Sequence, residues 1–181
     1  MLVQHVAQKR AADAGLSSIA NLHDTANAFH CIPTERLREG IRHNYKDGLE
    51  DLQLDMLDQA ATALLTCEET LAVLKRGSGQ FMGEVSATED FTQATLPILA
   101  EWQRRNLETL PHAKAMWTRC PVTDQPHDIS LTGFVDDVCK RTLFLTIAEA
   151  VRGVAQNDAN QEKAMTPDGY AQNAKNNTAP G

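Results

Sequence analysis

Residues 129–138 read Ile-Ser-Leu-Thr-Gly-Phe-Val-Asp-Asp-Val, a strand-like stretch that two adjacent acids, Asp136 and Asp137, interrupt. Burying an unpaired carboxylate is costly, so acids seldom interrupt a buried strand for the sake of stability. A second apolar stretch, residues 18–22, is followed closely by Asp24. If the two strand ends meet, their carboxylates can form a site for two divalent metal ions, which can catalyse phosphoryl transfer.

The apolar residues on either side of the acid pair predict a β-hairpin, with strands over residues 129–135 and 138–145. The turn of this hairpin would hold Asp136 and Asp137 outside the core, within reach of a metal ion. The strand over residues 19–22 would deliver Asp24 to the same place. Each motif taken alone also fits a purely structural role. Asp24 suits a helix N-cap or a turn, and the Asp136-Asp137 pair suits a solvated turn.

The spacing of apolar residues elsewhere predicts helices. We expect them over residues 3–14, 33–45, 49–74, 87–107 and 148–165, with a strand piece possible at Leu71–Lys75 inside the third. In the helix over 87–107, Thr88 is the expected N-cap and Pro97 the expected kink. The proline-rich residues 111–127 predict a loop with one short strand at 115–118. The resulting fold class is α+β and helix-rich, with helices packed on one face of a small antiparallel sheet.

Composition limits the classes of protein that this chain can belong to. Its 181 residues, 42% of them hydrophobic, suffice for one domain with a core. No apolar run approaches the roughly 18 residues of a membrane span, and no signal-peptide pattern is present, so we expect a soluble protein. The cysteines are far apart in sequence, which predicts no zinc site and a reduced intracellular setting, in cytoplasm or nucleus. They are Cys31, Cys67, Cys120 and Cys139.

The net charge of −7, with an isoelectric point near 5.3, argues against a protein that clamps nucleic acid on its own. Affinity for a duplex comes largely from neutralising phosphates with basic side chains. Two short basic segments, residues 36–46 and 102–105, are better explained as solvated helix faces.

Two motifs resemble the palm of reverse transcriptases, in particular the non-LTR retroelement type. Residues 24–29 read Asp-Thr-Ala-Asn-Ala-Phe, which fits the family's first palm motif of Asp, three variable residues and Ala-Phe. Residues 134–137 read Phe-Val-Asp-Asp, which fits the third motif of an aromatic residue, a small or β-branched residue and an aspartate pair.

Two weaker matches occur in the order that the family requires. Residues 76–84 read Arg-Gly-Ser-Gly-Gln-Phe-Met-Gly-Glu, where Met82-Gly83-Glu84 stands in place of the family's Gln-Gly-Asp. Residues 169–175 resemble the fourth motif, with Lys175 one residue closer to the asparagine than is usual. The resemblance implies a partial reverse transcriptase palm over residues 1–172, followed by a polar, frayed tail over 173–181.

The resemblance also implies a reaction and its site residues. The reaction is two-metal transfer of deoxynucleotides to a primer 3′-hydroxyl on an RNA template, with Mg²⁺ or Mn²⁺ as cofactor. The family's pattern places the catalytic and metal-binding groups at Asp24, Asp136 and Asp137, with the backbone carbonyl of Thr25 as a further metal ligand. It places substrate contacts at Phe29, Gly83 and Lys175, where Phe29 is either the sugar gate that selects deoxynucleotides or an ordinary core aromatic.

Two alternatives from other classes remain open. The altered second motif, the acidity and the lack of fingers and thumb segments in this chain fit a catalytically dead retroelement remnant. The Leu- and Ala-rich residues 49–74 fit a helical protein-interaction module in which the aspartates are incidental. For the polymerase itself we expect weak or no activity from the isolated chain.

Overall fold

The computed structural model describes residues 2–24, 28–65, 67, 71–75, 77–79, 86–134 and 137–170. Four of the predicted site residues, Thr25, Gly83, Asp136 and Lys175, lie outside the described residues. The predicted tail over 173–181 also lies outside them.

Helices and short antiparallel strands alternate along the described chain. The helices are α1 (Leu2–Asp13), α2 (Ala28–Cys31), α3 (Thr34–Asn44), α4 (Leu49–Gln59), α5 (Ala87–Thr109) and α6 (Ile147–Met165). The strands are β1 (Ser17–Asp24), β2 (Ala61–Leu65), β3 (Leu71–Lys75), β4 (Trp117–Arg119), β5 (Pro126–Asp128), β6 (Leu131–Phe134) and β7 (Asp137–Phe144). Two 3₁₀ turns complete the elements, at Ala113–Met116 and Thr166–Asp168. The helix-rich α+β fold class predicted from the sequence is confirmed.

The contacts divide the chain into two compact units. The first, here called the sheet unit, comprises residues 1–26, 98–167 and 171–181. The second, here called the helical unit, comprises residues 27–97 and 168–170.

The sheet unit is built on a three-stranded antiparallel sheet in the order β1-β7-β6, with β7 in the middle. Strand β1 pairs with β7 over its whole length, from Ser17 opposite Phe144 to Asp24 opposite Asp137. Strands β6 and β7 form the hairpin that the sequence predicted. One detail of that prediction was wrong, because Asp137 is the first residue of β7 and not part of the turn.

Helix α6 covers one face of this sheet. A capping box fixes its start, since the Thr146 side chain accepts from the Glu149 amide and the Glu149 side chain accepts from the Thr146 amide. Gly153 allows the helix to approach β7 closely, because a Cβ there would lie 2.9 Å from Thr142 Cγ2. The predicted last helix is thus confirmed, and it begins one residue earlier, at Ile147.

Helix α1 covers the opposite face of the sheet at one end only. Its Ala7 and Ala11 form a buried cluster with Met116 and with Leu143 of β7. Because side chains alternate between faces along a strand, Leu143 and Asp137 lie on the same face of β7, at its two ends. Helix α1 therefore covers the Leu143 end of the face that carries Asp137.

A ladder of buried amides joins α5 and α6 within the sheet unit. Asn106 Nδ2 donates to Asn157 Oδ1 at 3.0 Å, and Asn160 Nδ2 donates to Asn106 Oδ1 at 2.8 Å. Trp102 Nε1 donates to the Asn157 carbonyl at 3.2 Å. Because these side chains are almost fully buried, their hydrogen bonds are needed to offset the loss of water.

The helical unit packs α3 against the first half of α5. Leu37, Ile41 and Phe91 are buried, and Gly40 lies against α5, where a Cβ on this glycine would lie 3.3 Å from Gln93 Cβ. The helix predicted over residues 49–74 was wrong beyond Gln59, since β2 and β3 follow and pair with each other. Short apolar runs do not distinguish helix from strand, and Ala60 leaves the helix with a ψ of 124°. The strand piece suggested at Leu71–Lys75 is confirmed.

The bounds of α5 and the loop that follows it differ from the prediction. Helix α5 begins at Ala87, so the prediction of Thr88 as its N-cap was wrong. The helix continues through Pro97 to Thr109, two residues beyond its predicted end. The loop predicted over residues 111–127 contains the 3₁₀ turn and β4, and β4 pairs with β5.

None of the helices in the described part of the chain is both long and apolar enough to cross a membrane.

Candidate active site

Asp24 and Asp137 lie directly opposite each other at one end of the three-stranded sheet. They are Cα partners in the register of β1 and β7, although more than a hundred residues separate them in sequence. Directly opposed residues of an antiparallel pair point to the same face, with Cβ atoms about 4.5–5.5 Å apart. Asp24 is half-buried and Asp137 is exposed. The strand pairing thus brings two of the predicted catalytic residues together.

This pairing has an electrostatic cost. Like charges directly opposite each other destabilise an antiparallel pair, because the register holds the two side chains close together. A cation bound between the two carboxylates would replace this repulsion with attraction. An opposed carboxylate pair is thus an arrangement that a bound cation can stabilise.

The face around the two aspartates is open. A cavity of about 730 Å³ lies here, lined by Ala20, Leu22, Asp24, Thr132, Asp137 and Cys139, among others. Leu22 is 79% exposed, although it sits in the middle of a paired edge strand. Within the described part of the chain, no element covers the Asp24–Asp137 end of this face, so a ligand can reach it.

His23, next to Asp24, belongs to the opposite face of the sheet. Its ring is buried and makes an edge contact with Trp102 of α5, with ring centroids 5.1 Å apart. Burial lowers the pKa of His23, and the nearby Asp158 carboxylate opposes that shift only in part. His23 therefore contributes to the packing of α5 on the sheet.

A buried ion pair beneath the sheet was not predicted from the sequence. Lys140 Nζ donates to Asp128 Oδ2 at 2.9 Å and to Ser130 Oγ at 2.6 Å, while Gln103 Nε2 also donates to Asp128 Oδ2, at 3.2 Å. The side chains of Lys140 and Asp128 are each only 5% exposed. Burial lowers the pKa of Lys140, and Asp128 counteracts this shift. This network anchors β7, the strand that begins with Asp137, to β5 and α5.

Phe29 lies in α2 of the helical unit. Its half-buried ring packs on the buried ring of Phe91, with centroids 4.9 Å apart and an interplanar angle of 36°. This contact accounts for an aromatic residue at position 29 on packing grounds. The role of Phe29 as a sugar gate stays a prediction.

The described part of the glycine-rich loop, residues 77–79, packs against α2. The Gly79 amide donates to the Ile32 carbonyl at 2.8 Å, and Ser78 Oγ donates to the His30 carbonyl at 3.0 Å. Gly79 has a φ of 74°, and a Cβ there would lie 2.5 Å from His30 Cα. The glycine is thus required for the close approach of two backbones.

The donor set of the described residues fits a magnesium site only in part. Carboxylate oxygens are the ligands that Mg²⁺ prefers, and Asp24 and Asp137 supply them from opposed positions. Within the described residues no group of three or more His, Cys, Asp or Glu side chains is placed to hold a metal ion. Asp136 and Thr25, the other two predicted ligands, lie outside those residues.

Fold and site together define a helix-rich α+β protein with an opposed aspartate pair at the open end of a small antiparallel sheet. No protein-family model matches the chain, and no curated protein matches it. Among solved structures, the fold is similar to that of apo telomerase from Candida tropicalis truncated from its C-terminal domain, with a TM-score of 0.59 and 10% sequence identity. The match covers 98% of this chain and 36% of the telomerase chain. At this identity the likeness concerns the fold alone.

Proposed function

We propose that this chain is the palm-like part of an RNA-directed DNA polymerase, which adds deoxynucleotides to the 3′-hydroxyl of a primer on an RNA template. The observation that carries the proposal is the register of β1 and β7, which sets Asp24 opposite Asp137 on an open face. The fold gives independent support, because telomerase is a polymerase related to reverse transcriptases.

The electrostatic argument links the register to the chemistry. Like charges directly opposite each other in an antiparallel pair are destabilising, and a bound cation would offset that cost. The third aspartate, Asp136, adjoins Asp137 in the sequence and is a further acid of the same motif. Phosphoryl transfer is the reaction that needs little covalent help from the protein and depends on positioning and charge neutralisation.

Each proposed residue then has a defined role. Asp24 and Asp136, assisted by Asp137 and by the backbone carbonyl of Thr25, would hold two divalent metal ions. The chemistry that such ions would supply is activation of the 3′-hydroxyl and stabilisation of the charge on the leaving pyrophosphate. Phe29 selects against a ribose 2′-hydroxyl, Gly83 allows the backbone to approach the substrate, and Lys175 offers positive charge to the pyrophosphate.

The test is a single-nucleotide addition assay on an RNA template with a labelled DNA primer and Mn²⁺. Any addition by the protein should disappear in Asp24→Asn and Asp136→Asn, since each change removes a bridging charge. Asp13→Asn is the matched control, because it neutralises an exposed aspartate of α1 whose ion pair is with Lys9, four residues away. Addition that persists in both site variants would refute the proposed chemistry.

The remnant alternative predicts a different result. A catalytically dead descendant would show no addition at any protein concentration and no response of its stability to Mg²⁺ or Mn²⁺. A protein that binds metal through the aspartates but adds no nucleotide would retain the site without the activity. Metal binding and nucleotide addition therefore need to be measured on the same preparation.

A further inference from the structure

Helix α4 of the helical unit leaves an apolar stripe open to solvent. Leu49, Leu52 and Met56 are 55%, 52% and 56% exposed, and no residue of α4 is buried. Their spacing of three and four residues places them along one side of the helix. We call these three side chains the α4 stripe.

The opposite side of α4 is already in use. Helix α4 packs against α3, and Leu54 and Leu57 are half-buried. Two ion pairs fasten the two helices, Arg38 with Asp58 and Arg42 with Glu50. The exposure of the α4 stripe is therefore not due to loose packing of α4, because contacts with α3 hold the other side of the helix in place.

A row of acids runs beside the α4 stripe. At 100° per residue, Asp55 and Asp51 lie about 60° and about 100° around the helix from Leu52. Asp58 lies further round, beside the side of the helix that packs on α3, where it pairs with Arg38. Asp51 and Asp55 form no ion pair with any residue that the structure describes, and Asp55 accepts a hydrogen bond from Gln59. The helix contains four acidic residues and no Lys or Arg. The exposed surface thus combines an apolar ridge with a negative edge.

We propose that the α4 stripe is a docking surface for a basic amphipathic helix of a partner protein. Charge complementarity selects this occupant, since Lys or Arg beside an apolar ridge would neutralise Asp51 and Asp55 as the ridges interlock. A nucleic acid or an anionic lipid surface would be repelled. A second copy that docked through the same face would bring acid against acid. The stripe spans two helical turns, so the contact is small and the affinity is in the micromolar range or weaker.

The experiment measures binding of two labelled synthetic helices by fluorescence anisotropy. Both peptides carry leucines at heptad spacing, flanked by Lys and Arg in one peptide and by Glu in the other. The protein variants are Leu52→Gln/Met56→Gln, which removes the apolar ridge, and Asp51→Asn/Asp55→Asn, which removes the negative edge. The control is Leu96→Gln, which removes a leucine of α5 that is 46% exposed. Circular dichroism checks that each variant is folded.

We expect the basic peptide to bind and the acidic peptide to bind at least about tenfold more weakly. Leu52→Gln/Met56→Gln should weaken binding about tenfold or more and Asp51→Asn/Asp55→Asn about threefold, whereas Leu96→Gln should have no effect. Raising the salt concentration from about 50 mM to about 500 mM should weaken binding to the unmutated protein and matter less for the Asn variant. Equal binding of both peptides, no binding at about 1 mM protein, or self-association that Leu52→Gln/Met56→Gln abolishes would each overturn the proposal.

Discussion

At position 79 the backbone itself requires glycine. Its φ of 74° is unfavourable for any other residue type here, and a Cβ would lie 2.5 Å from His30 Cα and from the Phe29 carbonyl oxygen. Gly79→Ala should therefore lower the free energy of unfolding of the helical unit by about 2 kcal/mol or more, as measured by urea denaturation. Gly77→Ala is the control, since a Cβ at Gly77 meets nothing within 4 Å. Equal stability of the two variants would contradict the close packing of this loop.

His23 makes the stability of the sheet unit depend on pH. Burial lowers its pKa below the ordinary value of 6.5, so the unfolded chain takes up this proton more readily than the folded protein does. The free energy of unfolding should thus fall as the pH drops from 6.5 towards the lowered pKa, and should not depend on His23 above that window. His23→Phe keeps an aromatic ring against Trp102 and should reduce this pH dependence.

The measurement for His23 is urea denaturation at several pH values between about 5 and about 8. The control variant is His43→Gln, which removes an exposed histidine of α3. A pH dependence that is unchanged in His23→Phe would show that the buried ring does not control it.

Among the elements, β7 depends on a buried ion pair. Asp128→Asn leaves the Lys140 ammonium buried without its charged partner, so it should cost about 3–5 kcal/mol of stability. Asp13→Asn breaks an exposed pair and should cost little. Replacing both buried partners, as Asp128→Leu with Lys140→Met, should recover only part of the loss. It leaves no buried charge, but it removes the acceptor for Gln103 and Ser130. Thermal unfolding measures the stability of all three variants, and an Asp128→Asn variant as stable as Asp13→Asn would show that the buried ion pair does not stabilise β7.

The elements that the sequence predicted well are those with a strong local signal. The β6–β7 hairpin follows from two apolar runs around an acid pair, and α6 follows from its apolar spacing. The β2–β3 hairpin could not be separated from a helix, because two five-residue apolar runs carry no clear period and their stability comes from pairing with each other.

The candidate site was predictable in part for the same reason. The acids at the strand ends stand out in the sequence, and the register that opposes Asp24 to Asp137 follows once β1 pairs with β7. The Lys140–Asp128 ion pair could not be predicted from the sequence. A lysine in a strand is usually exposed, and Lys140 becomes buried only because α5 and β5 pack against it. Burial depends on tertiary contacts, which no local pattern encodes.

At the scale of the whole molecule, charge limits the affinity for nucleic acid. The chain has 17 Lys and Arg against 24 Asp and Glu, and its net charge is −7. Since affinity for a duplex depends on the number of phosphates that are neutralised, we expect the isolated chain to bind an RNA–DNA hybrid more weakly than about 10 μM at physiological salt. Fluorescence anisotropy with a labelled hybrid checks this value. Tight binding in the nanomolar range would mean that the basic segments act together despite the net charge.

The function proposed for this chain requires the opposed aspartates, Asp24 and Asp137, to take part in a divalent metal site. The most direct test is paramagnetic broadening of the backbone amide signals by Mn²⁺ in NMR spectra of the ¹⁵N-labelled protein. We predict selective broadening at Asp24, Asp137 and their strand neighbours, lost in Asp24→Asn, weakened in Asp137→Asn and retained in Asp13→Asn. Broadening centred elsewhere, for example on the acids of α4, or broadening that is unchanged in both site variants, would show that the aspartates do not bind the metal.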